Sequence, residues 1–283
     1  MDKQSEFVKT LIRAAVPRAL RNSLRSPSKS AKWLWDSIRF SIGVTKTLQF
    51  PSGCSIICHP HAYEIFCEAQ IDDPDQREEF RNFESCCSNK MVLFDIGAHY
   101  GVFSLVAARY GGTALAVDPS PMAAQMIATE SALNNCSNQI KVIQAAVSDA
   151  DGILNMLNSG IFSAGYFKVT KGRSVRDLTK TQALTIDQMV DNFGAPTHIK
   201  IDVEGHEAAV LRGAQDTLRQ YSPILFLELH NEMVLSEAGD PGSSLDELAK
   251  SGYRTYTFGG EILSRNQILE LPIVRCVASR GNE

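Results

Sequence analysis

Hydrophobic and polar positions alternate along the middle of the chain in two rhythms, one typical of strands and one typical of helices. Short apolar runs predict buried strands at residues 91–96, 114–117, 140–144, 198–201 and 224–229. Apolar residues at helical spacing predict helices at residues 102–110, 121–134, 185–192 and 206–219. Strands that alternate with helices form a mostly parallel sheet with helices on both faces, so we predict an α/β fold.

Outside these alternating strands and helices, the sequence predicts a hairpin, a polar link and an irregular β segment. Residues 45–70 carry short β-prone pieces divided by turn residues, which predict a hairpin, and a polar link follows at 72–84. Glycines break the alternation at 149–184 and predict an irregular β segment. A helix at 244–250 and closing strands at 253–258 and 273–278 complete the prediction. We therefore divide the chain into a basic helical arm at 1–44, a β-hairpin and linker extension at 45–84 and a main domain at 85–283.

The first predicted strand runs into a turn that suits a nucleoside ligand. Its sequence, MVLFDIGAHYG, brings Asp95 to glycines at positions 97 and 101, where the backbone can approach a ligand closely. The dinucleotide-binding turn needs three glycines, and this one has two. The turn therefore favours S-adenosylmethionine (SAM) over a nicotinamide cofactor.

The second predicted strand ends in an acid, Asp118, which lies about 20 residues beyond the turn. A carboxylate there can accept hydrogen bonds from both ribose hydroxyls. The alternative is that Asp95 only caps the turn and Asp118 only caps the helix that Ser120 and Pro121 begin. The two features together favour cofactor binding.

Acidic and imidazole side chains collect at the ends of two later strands. Asp202, Glu204 and His206 follow one strand, and Glu228 and His230 close the next. If these strands pair in parallel, their ends lie about 4.8 Å apart, so the side chains would meet beside the cofactor. Such a cluster can take a proton from a hydroxyl or hold a divalent cation that acidifies it. The alternative is that Asp202 and Glu204 cap the helix at 206–219 and pair with Arg212 or Lys200.

These motifs resemble the FkbM family of SAM-dependent methyltransferases. The matching stretches are DIGAHYG at 95–101, AVDPS at 116–120, LTIDQMV at 184–190, IKIDVEGHEAAVLRGA at 199–214 and ILFLELH at 224–230. The resemblance implies a Rossmann-like class I methyltransferase fold with a seven-stranded sheet. It also implies methyl transfer to a hydroxyl of a sugar, glycolipid or other metabolite.

The resemblance also implies roles for individual residues. The cofactor set is Asp95, Gly97, Ala98, His99, Gly101, Asp118, Ala145 and Ala146, with the two alanines against adenine. Asp202, Glu204 and His206 match the family's D-x-E-G-x-E block. With Glu228 and His230 from the next strand end they form the catalytic set, in which Asp202, His206 or His230 is the base. The chain departs from the family pattern at His99, where Asn is usual, and at Asp118, where Glu is usual.

We therefore predict a SAM-dependent O-methyltransferase with a small-molecule or glycan hydroxyl acceptor. One alternative is a metal-assisted enzyme in which Asp202, Glu204 and Glu228 hold Mg²⁺, although we assign no metal site. A second is a SAM-binding module without catalysis. A nicotinamide oxidoreductase fits least, because the third glycine is missing.

Composition and charge narrow the setting. The 283 residues, 44% of them hydrophobic, carry no apolar run of membrane-spanning length and no secretory signal pattern, so we expect a cytoplasmic protein. Residues 1–40 hold nine Lys/Arg and three Asp/Glu, against 19 and 29 in the remainder. A peripheral membrane contact is one option for the basic arm, and a helix packed on the side of the main domain or a partly disordered arm is the stronger one. The acidic remainder argues against nucleic acid. The oligomeric state stays open.

The remaining cysteines and histidines are assigned to packing. A string of Cys54, Cys58, His59, His61 and Cys67 has the residue types of a zinc site but lacks its usual C-x₂-C spacing. Cys86 and Cys87 are also assigned to packing and not to a redox pair. His198 is predicted to begin a strand and to have no catalytic role.

Overall fold

The computed structural model describes residues 29–50, 52–158, 167–169 and 178–281. Its strands are β1 Lys46–Gln49, β2 Ser55–Cys58, β3 Val92–Ile96, β4 Thr113–Asp118, β5 Ile140–Gln144, β6 Ala146–Val147, β7 Gly152–Asn158, β8 Phe167–Val169, β9 Leu178–Leu184, β10 His198–Ile201, β11 Ile224–Leu229, β12 Tyr253–Tyr256 and β13 Val274–Arg280. Its helices are α1 Lys29–Ser41, α2 Pro60–Asp72, α3 Pro74–Cys86, α4 Val102–Arg109, α5 Pro121–Leu133, α6 Ile186–Phe193, α7 Glu207–Arg212, α8 Gln215–Tyr221, α9 Asn231–Ser236, α10 Gly242–Lys250 and α11 Arg265–Leu269.

The central sheet has seven strands in the order β12-β13-β11-β10-β3-β4-β5. The strands from β11 to β5 are parallel, and β13 runs antiparallel to both β11 and β12. The direction of the chain order reverses between β3 and β10, which is where open α/β sheets bind their ligands. The predicted mostly parallel, Rossmann-like sheet is confirmed.

The sheet is buried on both faces, as its continuous apolar strands predict. In β3, Leu93 belongs to the core on one face, with Leu105 of α4, and Phe94 belongs to the core on the other, with Leu227 of β11. Helix α5 begins as its sequence predicts, because the Ser120 hydroxyl accepts a hydrogen bond from the Ala123 amide at 3.3 Å.

The predicted helix at 206–219 is two helices, α7 and α8, and this prediction was wrong. Gly213 separates them, and a Cβ on Gly213 would overlap the carbonyl oxygen of Ser148. The backbone of the segment after β6 therefore occupies the place that a side chain would need. The predicted apolar face is nevertheless buried, at Val210, Leu211, Ala214 and Leu218.

The extension at 45–84 is only partly as predicted. Strands β1 and β2 form the expected antiparallel hairpin. The rest of the stretch predicted to be β-prone is instead the helix α2, and the polar link is the helix α3. The Asp73 carboxylate accepts hydrogen bonds from two amides of the first turn of α3, and Pro74 follows it. Phe80 and Phe83 of α3 pack in the same core as Leu93. The sequence signal, an acid before proline, was present at Asp73 and was missed.

The irregular β segment forms a small second sheet with the order β6-β9-β7-β8. Residues 1–28 of the predicted basic arm lie outside the described residues. In the described part of the chain, no helix has both the length and the apolar character that crossing a membrane requires.

Candidate active site

The turn after β3 crosses the end of β4 with its backbone in the left-handed region. Gly97, His99 and Gly101 have φ values of +79°, +51° and +67°. The amides of Gly97 and Ala98 donate to the carbonyl of Val117 at 2.9 and 3.1 Å, which fixes the turn on β4. A Cβ on Gly97 would overlap the carbonyl oxygen of Asp202. The turn therefore requires glycine there because β10 ends directly against it.

Asp95 supports the turn from inside the fold. The carboxylate is 1% exposed and accepts two hydrogen bonds from Ser104, from its amide at 3.1 Å and its hydroxyl at 2.6 Å. Burial raises the pKa of Asp95, and the hydrogen bonds from Ser104 oppose that shift. Asp95 thus ties the end of β3 to the first turn of α4, which shapes the loop between them.

Asp118 presents its carboxylate at the end of β4, beside the turn. Its oxygens accept hydrogen bonds from the amides of His99 at 2.9 Å and Ser120 at 2.8 Å. Burial raises the pKa of Asp118 to about 7. Each carboxylate oxygen has lone pairs beyond these two bonds, so the pair of oxygens suits the two hydroxyls of a ribose.

The two predicted adenine neighbours, Ala145 and Ala146, lie next to Asp118. The amide of Ala145 donates to the backbone carbonyl of Asp118 at 3.1 Å, and Ala146 begins β6. Both alanine side chains are buried. The Asp118 carboxylate suits the ribose of SAM, and the small apolar surface of the two alanines suits its adenine. The two glycines leave room for the rest of the molecule, and all of these contacts with SAM remain a prediction.

His99 is half-buried, and its ring lies 4.0 Å from that of Tyr100 between centroids. Burial, with a smaller contribution from His61, lowers the pKa of His99 to about 4. The side chain is therefore a neutral imidazole near pH 7. It can donate one hydrogen bond and accept another, much as the amide of an asparagine can.

The predicted acid cluster is assembled around His230. Its Nδ1 atom lies 2.8 Å from Glu207 Oε1. Its Nε2 atom lies 3.8 Å from Asp202 Oδ1, 3.6 Å from Glu204 Oε2 and 3.7 Å from Glu228 Oε1. These three distances exceed a hydrogen bond, so Nε2 faces a small space bordered by three carboxylates.

The parallel pairing of β10 with β11 produces this assembly. Ile201 is opposite Leu227, so the next residues, Asp202 just beyond β10 and Glu228 within β11, lie side by side. Glu204 has a φ of +54°, an uncommon conformation for a residue with a long side chain. The two strand ends and this turn bring four of the five predicted catalytic residues together.

The charges in the cluster are strongly coupled. Burial lowers the pKa of His230, but the hydrogen bond to Glu207 and the charges of Glu207, Asp202 and Glu204 outweigh it and raise the pKa to about 9. Burial and the charge of Glu228 raise the pKa of Asp202 well above its usual value. His230 is therefore an imidazolium at neutral pH, and the carboxyl group of Asp202 holds a proton more readily than an ordinary aspartic acid does.

A network of buried charges beneath the cluster was not predicted. Lys200 donates to Glu79 Oε1 at 2.8 Å and lies 3.8 Å from Glu228 Oε2. Arg275 of β13 donates to both oxygens of Glu228, at 3.1 and 2.8 Å, and to Asp73 at 2.6 Å. Burial raises the pKa of Glu228, but Lys200 and Arg275 hold it below its ordinary value.

His206, the fifth predicted catalytic residue, has a different partner. Its Nε2 lies 2.9 Å from the hydroxyl of Ser148. It is the N-cap residue of α7 but makes no side-chain capping bond, and the first turn of that helix is closed by Glu207, which accepts from the Gly205 amide at 3.0 Å. Neither of these two observations involves Asp202 or Glu204. Arg212 pairs with Asp149 at 3.0 Å.

The cysteines and histidines between Cys54 and Cys67 do not form one cluster of potential metal ligands. Among the described residues, two groups bring potential metal ligands within reach of one another, Asp202 with Glu228 and His230, and Asp36 with His61 and Glu64, and neither includes a cysteine. Cys58 is buried in the core, where burial raises the pKa of its thiol to about 12. His198 begins β10, as predicted, at the end of the sheet away from the cluster.

Comparison with known proteins gives one family match. The model of the Methyltransferase FkbM domain matches residues 95–255, which include both the turn and the acid cluster. No curated protein matches the chain.

Many solved structures are similar to parts of the chain, and they include the following three. The methyltransferase FkbM from Methylobacillus flagellatus KT is 18% identical, with a TM-score of 0.44, over 68% of this chain and 44% of that one. The O-methyltransferase from Bacillus cereus in complex with SAH is 11% identical, with a TM-score of 0.42, over 89% and 100%. TYW2 from M. jannaschii in complex with AdoMet is 11% identical, with a TM-score of 0.38, over 83% and 84%. The chain thus spans less than half the length of the first of these proteins.

Proposed function

The chain belongs to the family of FkbM methyltransferases, which implies SAM-dependent methylation, and from this premise we propose that it methylates a hydroxyl oxygen of a sugar, glycolipid or similar metabolite. The observation that carries the proposal is the contact between Gly97 and the backbone of Asp202. It joins the cofactor turn to the acid cluster, so that one side of a shared space offers nucleoside contacts and the other offers proton acceptors.

We propose that Asp202 accepts the hydroxyl proton. Its side chain is 33% exposed, whereas that of His230 is 4% exposed. A carboxylate whose pKa is raised above its ordinary value is a stronger general base than an ordinary one. His230 is already protonated near neutral pH, which makes it a poor proton acceptor there. Its positive charge instead orients the carboxylate of Asp202.

The other residues of the site hold and align the two reactants. When bound, SAM supplies a methyl group on a positively charged sulfur, an electrophile that is already reactive. The protein therefore contributes mainly proximity and orientation. Asp118 and the turn from Gly97 to Gly101 would hold the nucleoside, and Glu204 would accept hydrogen bonds from further hydroxyls of the acceptor.

The charge of the cluster favours a neutral acceptor with several hydroxyls. Asp202 and Glu204 have side chains 33% and 22% exposed, and both face the space around His230 Nε2. Carboxylates accept hydrogen bonds from hydroxyl groups and repel phosphate or carboxylate groups. We therefore expect a neutral sugar or the sugar of a glycolipid to be preferred over its phosphorylated form.

A magnesium-assisted reaction is the second candidate, because Asp202, Glu228 and His230 place ligand atoms within 4.8 Å of one another. Glu228 argues against it. Both of its oxygens already accept hydrogen bonds from Arg275, and the Lys200 ammonium lies 3.8 Å away. These two cations would repel a third charge. We therefore propose that Asp202 acts without Mg²⁺, so adding Mg²⁺ to protein stripped of it should leave turnover unchanged.

The test is methyl transfer by the full chain from SAM labelled with ¹³C in the methyl group. The acceptors are neutral sugars and glycolipids, each compared with its phosphorylated form, and NMR identifies the atom that gains the methyl group. A new O-methyl signal on a neutral acceptor is expected, and it should vanish in Asp202→Asn. Asp246→Asn, which changes an exposed acid of α10, is the matched control and should keep turnover. Tight SAM binding without product on any acceptor would instead indicate a SAM-binding module.

A further inference from the structure

A second group of potential metal ligands lies between α1 and α2, outside the active site. His61 and Glu64 are three residues apart on α2, so they share one face of that helix. Asp36 reaches them from α1. One ligand atom from each of these residues lies within 4.8 Å of the others. None of the three residues belongs to the cluster around His230.

The Asp36 carboxylate is the key observation at this place. The residue is 2% exposed. Its Oδ1 accepts a hydrogen bond from Arg39 at 3.3 Å, whereas its Oδ2 is buried and has no hydrogen-bond donor among the described residues. Oδ2 lies 4.0 Å from His61 Nδ1, which is too far for a hydrogen bond. A buried carboxylate oxygen left in this way is costly unless a cation neutralises it.

The nearby carboxylate of Glu64 makes the burial of a charged Asp36 still more costly. Burial raises the pKa of Asp36, and the negative charge of Glu64 raises it further, while Arg39 and His61 partly compensate. Two carboxylates and one imidazole nitrogen thus converge on a space that lacks the hydrogen bonds to satisfy Asp36. This donor set is typical of a metal centre.

We propose that Asp36, His61 and Glu64 bind one divalent transition metal ion, with Zn²⁺ as the best match. An imidazole ligand favours zinc and its neighbours in the first row over Mg²⁺ or Ca²⁺. Around tetrahedral zinc, ligand atoms at the usual bond lengths lie about 3.4 Å apart, so small side-chain rotations would close the present separations. A water molecule would complete the coordination.

Such an ion would fasten α1 to the rest of the protein. Leu34 and Ile38 of that helix are 41% and 47% exposed, and Ile42 just after it is 57% exposed, so part of its apolar surface is left uncovered by the described part of the chain. The ring of His61 also contacts that of Tyr100, with centroids 6.2 Å apart, in the cofactor turn. The ion would therefore stabilise the wall next to that turn, whatever reaction the active site performs.

The first test measures metal bound by the full chain after removal of metal with a chelator. Titration with Zn²⁺ should show one tight equivalent, which Asp36→Asn and His61→Gln should each lose. His198→Gln removes a half-buried histidine elsewhere, and His230→Gln removes the imidazole of the active site, so both should keep that equivalent. Zinc retained by Asp36→Asn and His61→Gln, or lost only in His230→Gln, would overturn the proposal.

The second test uses the wild-type protein, so it holds even where a variant fails to fold. X-ray absorption of the zinc-loaded protein should show a first shell of nitrogen and oxygen only, with the outer-shell scattering of one imidazole. A sulfur shell would overturn the proposal in favour of the nearby cysteines, and absence of tight zinc binding would overturn it outright. Because the readout is metal coordination, failure here is distinguishable from failure of the proposed methyl transfer.

Discussion

Gly97 and Asp202 lie against each other backbone to backbone, although more than 100 residues separate them in the sequence. The carbonyl oxygen of Asp202 fills the place that a Cβ on Gly97 would need. The amide of Asp202 in turn donates to the carbonyl of Ile96 at 3.0 Å. The cofactor turn and the acid cluster therefore cannot shift independently, and this coupling is what makes them one site.

The first prediction concerns that contact. Gly97→Ala should destabilise the fold and abolish SAM binding, because the new Cβ meets backbone atoms that cannot rotate away. Gly252→Ala is a matched control, since Gly252 has a similar φ of +76° but its nearest neighbour would be 3.6 Å away. The control should cost about 1–2 kcal/mol from the left-handed backbone alone. Gly97→Ala should cost about 1–3 kcal/mol more, measured by denaturant unfolding. Equal losses in the two variants would contradict the account.

The second prediction concerns Asp118 and the pH dependence of SAM binding. The pKa of this residue is raised to about 7, so the carboxylate is ionised above that pH and protonated below it. If the ionised form accepts the ribose hydroxyls, SAM affinity should fall about tenfold from pH 8 to pH 6. Isothermal titration calorimetry at several pH values measures this change. Asp118→Asn should bind weakly at every pH, and a variant that kept the wild-type dependence would exclude this role.

Much of this site could be predicted from the sequence, because the polar residues of the site lie at the ends of strands that apolar runs make recognisable. The apolar runs located β10 and β11, and a parallel pairing was enough to place Asp202 beside Glu228. Glu79 and Arg275 were not predictable in the same way. Glu79 lies on a helix 121 residues before its partner Lys200. Only the packing of α3 against the sheet and the antiparallel pairing of β13 with β11 bring these charges beneath the cluster.

The third prediction is the pH profile of turnover. The carboxyl group of Asp202 has a raised pKa, so kcat/KM should rise with pH as this group loses its proton. The profile should fall again near pH 9, where His230 loses the charge that orients Asp202. His230→Gln should therefore be slow and should lack the alkaline limb. A profile that only rises, with its midpoint near 9, would identify His230 as the base instead.

The fourth prediction concerns the buried charges beneath the site. Glu79 and Lys200 have side chains 1% and 3% exposed, so removing either takes the nearest opposite charge away from a buried partner. Glu79→Ala or Lys200→Ala should each lower the free energy of unfolding by about 3–5 kcal/mol. Lys250→Ala breaks an ion pair whose lysine is 59% exposed and should cost less than about 1 kcal/mol. Urea unfolding would show comparable losses in all three variants if the network had no structural role.

The joint measurement of SAM affinity and methyl transfer in two variants tests the central claim most directly. Calorimetry and the ¹³C-methyl assay are applied side by side to the wild type, Asp118→Asn and Asp202→Asn. We predict that Asp118→Asn loses SAM affinity, whereas Asp202→Asn binds SAM as the wild type does and forms no O-methyl product. Normal SAM binding by Asp118→Asn, or normal turnover by Asp202→Asn, would contradict the division of the site into a cofactor half and a proton-accepting half.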